Sequence, residues 1–143
     1  MTPEIVFSIA NPFAAIGWLL LAILPNTKIT KLLVRSGLWS GALSVIYLFI
    51  ILFNFGRSEG GFSSLPGVAL LFQNQWVLLA GWIHYLAFDL FLGIWETKEA
   101  EALGIPRWVL IPCLFLTFML GPIGFLLFYI VRLTKGKRYD DGI

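Results

Sequence analysis

The sequence contains one histidine and one cysteine among 143 residues. One thiol makes no disulfide framework within the chain, and one thiol with one imidazole supplies neither a structural zinc site nor the multi-histidine iron cage of a membrane desaturase. No metal and no cofactor is therefore expected, and any site must work with few groups. Charge is scarce too: Asp, Glu, Lys and Arg make up 13% of the chain, where a soluble domain carries about a quarter. The ten Lys and Arg residues fall in the connections and the C-terminal tail. They read as topology determinants and not as a nucleic-acid footprint.

What the sequence has in quantity is apolar length: 59% of its residues are hydrophobic. A helix needs roughly 20 such residues to cross a bilayer, and four runs approach or exceed that, at 5–24, 37–55, 76–95 and 107–131. The fold class expected is all-α: a polytopic membrane protein with four transmembrane helices in a compact bundle, forming a single domain with a polar tail over 132–143. Between the second and third runs, Leu65-Pro66-Gly67 opens a segment too short to cross, which suits an interfacial or re-entrant turn. The first run lacks a positive n-region and a small-x-small cleavage site, so neither a secretory signal nor a transit peptide is expected. Its environment is the lipid bilayer, as an integral protein of a bacterial inner or thylakoid-type membrane.

Four crossings put both termini on one side. Lys and Arg then divide five against five, with Arg57, Arg132, Lys135, Lys137 and Arg138 facing Lys28, Lys31, Arg35, Lys98 and Arg107. The positive-inside rule gives no orientation on that count. Gly37 and Gly41 form a G-x-x-x-G pair, the kind of small-residue spacing that lets helices approach, within the chain or in a helix–helix oligomer.

The third run carries the chemistry. At about 1.5 Å rise per residue, His84 lies about 12 Å below Trp76 and Asp89 about 20 Å below it. Ionisable groups at such depth are costly when charged and facing lipid, so both are expected to face the bundle and to serve function. Five positions at about 100° each leave roughly 140° between their directions. One cavity can hold both only if this helix is surrounded by the others. Asp89 shares its face with Trp82, Tyr85, Gly93 and Glu96; His84 shares its face with Gly81, Phe88 and Trp95. Trp82 and Tyr85, with Asn11 beside the helix-bending Pro12 of the first run, are the candidate ligand-binding residues. Glu96, Glu99 and Glu101 read as the start of a hydrated loop over 96–104. Cys113 reads as an apolar core thiol.

Leu65-Pro66-Gly67, then Trp82-Ile83-His84 and Asp89-Leu90-Phe91, with Cys113 to Gly124 behind them, resemble the abscisic-acid-deficient-four-like membrane proteins. The turn from Pro25-Asn26 to Thr30-Lys31 fits as well, and the likeness spans nearly the whole chain. It implies a small four-helix membrane protein of the kind plants need to convert violaxanthin to neoxanthin. The chemistry so implied is a redox-neutral isomerisation of a carotenoid or related isoprenoid lipid. An epoxide oxygen is protonated, a proton leaves the polyene and an allene forms, which takes one acid and one base. On that reading Asp89 is the acid and His84 the neutral base, though the reverse assignment fits the sequence equally. The alternative is a non-catalytic protein that binds an isoprenoid lipid or another membrane protein.

Overall fold

The computed structural model describes residues 2–140, in which every regular element is helical. Helix α1 (Pro3–Ile23) starts with proline in its first turn, where the missing N–H leaves no bond unmade. It continues unbroken through Pro12. A π-helical turn, Thr30–Val34, leads into α2 (Leu38–Asn54). The short α3 (Leu65–Leu71) is capped by Ser64, whose hydroxyl accepts from the Gly67 N–H at 3.1 Å. Helix α4 (Gln75–Ala102) is capped by Asn74, whose side-chain oxygen accepts from Trp76 and Val77. Helices α5 (Arg107–Leu120) and α6 (Pro122–Asp140) follow.

Two of these, α1 and α4, are long and apolar enough to cross a membrane, and α2 is a shorter apolar helix of 17 residues. The outer surface agrees with a lipid environment: Ile9, Leu19, Leu48, Leu52, Phe88 and Phe115 are each more than half exposed. An apolar surface that broad is unfavourable in water and ordinary against acyl chains.

Helix α4 is the central element. It packs against α1, α2, α5 and α6. Asn11 meets Trp82, and a side chain on Gly17 would touch Leu90, so α1 runs in the same direction as α4. Tyr47 meets His84, and Ala87 with Phe91 borders Ser40, so α2 runs the opposite way. One core cluster, built on Ala14, Leu43, Ile83 and Leu86, joins α1, α2 and α4. A second, built on Leu21, Leu90, Leu114 and Phe128, joins α1 and α4 to α5 and α6.

Two expectations meet a different local structure. The stretch expected as a hydrated loop from Glu96 is the last two turns of α4, which ends at Ala102. Its three glutamates all find partners: Thr117 for Glu96, Arg132 for Glu99 and Arg35 for Glu101. The run at 107–131 is not one straight helix. It divides at Gly121, where φ is +29°, a conformation that favours glycine. Helix α5, with 14 residues, climbs about 21 Å against α4 as far as the contact of Gly121 with Asp89. Helix α6 then returns along α4, with Phe125 and Phe128 against Trp95 and Arg132 bonded to Glu99. The two form a tight hairpin: a Cβ on Gly124 would sit 2.0 Å from the Thr117 backbone nitrogen. The polar tail expected from residue 132 continues α6 to Asp140, and residues 141–143 lie outside the described part.

Candidate functional site

The site starts from the helical spacing on α4. Tyr85, Asp89 and Glu96 lie four and seven positions apart and face the same way. What they face is the turn between α5 and α6. The Asp89 carboxylate lies against Gly121, where a Cβ would come within 2.7 Å of Oδ1 and 3.0 Å of Oδ2. Its Oδ2 is buried and has no hydrogen-bond partner. Asp89 lies one turn beyond Tyr85 and two turns before Glu96 on this face. The Tyr85 hydroxyl donates to the Phe118 carbonyl at 3.1 Å, which fixes the end of α5 against α4.

Glu96 has no exposed surface. Both its oxygens accept from the Thr117 hydroxyl, at 2.9 and 3.1 Å. Among the described residues neither Asp89 nor Glu96 forms a salt bridge. The two salt bridges there hold Arg35 to Glu101 and Arg132 to Glu99. Asp89, partly buried, and Glu96, fully buried, thus lie on the inner face of α4 with no salt-bridge partner among the described residues. No cluster of metal-ligating side chains occurs among the described residues.

The other sequence-predicted residues divide between two sides of α4. Trp82 donates its indole N–H to Asn11 Oδ1 at 2.7 Å and stacks on Tyr85, with ring centroids 5.3 Å apart. Asn11, Trp82, Tyr85 and Asp89 therefore trace a line from α1 to the hairpin. His84 is not on that line and, against the expectation that it faces the bundle, it is exposed on the outer side of α4, because the roughly 140° between it and Asp89 turns it away from the hairpin. It stacks on Phe88 at 4.6 Å, meets Tyr47 edge-on at 5.6 Å, and lines a cavity of about 470 Å³ between α2, α4 and the α3 segment, which adds Phe62, Leu71 and Phe72. The sequence reading passed over Glu96 and Thr117 as site residues. Glu96 could have been found from its place on the Asp89 face; nothing in the sequence points to Thr117, which meets it only because the hairpin turns where it does. Cys113 is buried in the core on α5.

The family model described as ABA DEFICIENT 4-like matches residues 5–128. The chain belongs to this family. The match covers α1 through the first turns of α6, and so includes the Asp89–Gly121 contact and the whole hairpin turn of this ABA DEFICIENT 4-like protein. No curated protein and no solved structure matches the chain.

Proposed function

We propose that this ABA DEFICIENT 4-like protein acts in the membrane on a carotenoid or related isoprenoid lipid, as a cofactor-free acid/base isomerase of the neoxanthin-synthesis type. The observation that carries the reading is the uncompensated carboxyl pair Asp89 and Glu96 on the inner face of α4. Protonating an epoxide oxygen and removing a polyene proton needs one group to give and one to receive. Asp89 is the donor, and Glu96, on the same face, is the group to which the released proton passes. His84 sits across α4 and serves as base only for a substrate that reaches round the helix. The test is pigment analysis of cells making the wild type, Asp89→Asn, Glu96→Gln or His84→Gln. Loss of conversion in Asp89→Asn with unchanged expression and melting supports the reading; full conversion in Asp89→Asn overturns it.

The second reading, a non-catalytic protein that holds such a lipid, is favoured by one observation: the cavity lined by His84 lies away from the carboxyl pair. A binder of this kind retains pigment through mild detergent purification, and its removal leaves the cell's lipid profile unchanged.

The arrangement in the bilayer follows the same geometry. In this reading α1, α2 and α4 cross, and the α5–α6 hairpin enters and leaves on one side. Residues 132–138 then join the side that holds Lys28, Lys31, Arg35, Lys98 and Arg107, and only Arg57 is left opposite. Of the ten basic residues, nine lie on one side and one on the other, in place of the five-to-five tie that four straight crossings give. The positive-inside rule then puts the C-terminus in the cytoplasm or its equivalent, with the start of α1 on the far side.

A further inference from the structure

The face of α4 that carries His84 borders a second, larger groove that the carboxyl pair does not use. Its cavity, about 710 Å³, runs between the first half of α2 and α4, lined by Ser36, Ser40, Gly41 and Ser44 on one side and Phe88 and Phe91 on the other. Its floor is open: a Cβ on Gly37 or Gly41 would find no atom within 4 Å, so this G-x-x-x-G pair packs against no helix of its own chain.

The three serines differ in one respect. Ser36 donates its hydroxyl to the Leu32 carbonyl and Ser44 to the Ser40 carbonyl, the usual recourse of a hydroxyl in a helix. Ser40 is only 5% exposed, and its Oγ has no hydrogen-bond partner at all. The carbonyl four residues back belongs to Ser36, which lies before the start of α2. A buried hydroxyl left without a partner is costly, more so where no water competes. Acyl chains offer it nothing.

The groove has a direction. On α2, Ser40, Ser44, Tyr47 and Ile51 recur at the spacing of one helical face, and on α4 His84, Phe88 and Phe91 do the same. The Ser40 groove and the His84 cavity therefore follow one another along the same side of the α2–α4 seam, with the α3 segment bordering the second. Ser40 and Tyr47 are about 10 Å apart along it.

We propose that this seam binds an elongated apolar molecule carrying a hydroxyl or carbonyl oxygen at one end, with that oxygen on Ser40 and the body laid over Phe88 toward His84. The shape is that of a small-molecule site: an apolar wall with one placed polar group. It lies across α4 from Asp89, so its failure leaves the isomerase reading standing; it rests on the lipid-holding reading, whose His84 cavity it includes.

The test is native mass spectrometry of the purified full chain in detergent, titrated with geranylgeraniol and with the matching hydrocarbon that lacks the hydroxyl. The wild type is expected to bind the alcohol about tenfold more tightly, the worth of one hydrogen bond. Ser40→Ala is expected to erase that preference while still binding both. Gly41→Phe, which fills open space, is expected to abolish binding of both with an unchanged melting temperature. Equal affinity of the wild type for alcohol and hydrocarbon, no binding of either, or binding that survives Gly41→Phe overturns the proposal. So does a Gly41-dependent dimer that binds no alcohol, which would assign the groove to a second copy of the chain.

Discussion

Asp89 on α4 and Gly121 at the head of the hairpin fit each other so closely that a methyl group on Gly121 would stand 2.7 Å from the aspartate Oδ1. The one aspartate of the apolar core region and the one break in the last apolar run are thus a single feature. The chain reverses where the carboxyl group is.

Gly121→Ala should therefore lower the unfolding temperature in detergent through two separable effects. The backbone there is at φ +29°, a strain of about 1–3 kcal/mol for a residue with a Cβ, and the new methyl group meets the carboxylate. Adding Asp89→Ala should return the steric part and leave the backbone part. A double variant no more stable than Gly121→Ala alone would show that the contact does not matter.

Gly124 is held by space and not by dihedral angle. A Cβ there would lie 2.0 Å from the Thr117 nitrogen and 2.4 Å from its Cα, backbone atoms that can move only if α5 and α6 part. Gly124→Ala should cost at least the roughly 1–3 kcal/mol typical of overpacking. Gly41→Ala, with nothing within 4 Å, should be neutral or stabilising by up to about 1 kcal/mol. Equal melting temperatures for the two variants would contradict the close hairpin.

Thr117 is the hydrogen-bond partner of a glutamate with no exposed surface. Thr117→Val keeps the shape, removes the donor and should destabilise by about 1–3 kcal/mol, because Glu96 is then buried without a partner. Replacing both residues, as Thr117→Val with Glu96→Leu, should recover most of that loss. A thermal-denaturation double-mutant cycle with no coupling between the two positions would refute the pairing.

The hairpin also makes a topological prediction. In a Cys113→Ala background, single cysteines at Lys98 and Lys135 should react with a membrane-impermeant thiol reagent from one side, and a cysteine at Arg57 from the other. A C-terminal reporter active only in the cytoplasm should be active. Labelling of positions 98 and 135 from opposite sides would mean that α5 and α6 cross as one helix.

Much of this was legible in the linear sequence. The helical class, the apolar runs that became α1, α2 and α4, and the angle between His84 and Asp89 follow from composition and the helical repeat. Those are local properties, fixed by hydropathy over about 20 residues and by 3.6 residues per turn. Family membership was legible too, in the Trp82-Ile83-His84 and Asp89-Leu90-Phe91 blocks. Tertiary structure decided which neighbour each polar group met. Glu96 looked like the start of a loop because a glutamate is costly inside a bundle until a partner is supplied, and Thr117 supplies it from 21 residues away. Ser40 sits in the second apolar run, and only the packing of α2 leaves its buried hydroxyl without a partner. Gly121 and Pro122 permit a break, yet whether a broken helix continues or folds back depends on what packs against it. Here Phe125, Phe128 and Arg132 find Trp95 and Glu99 on α4, and those long-range contacts turn one apolar run into a hairpin.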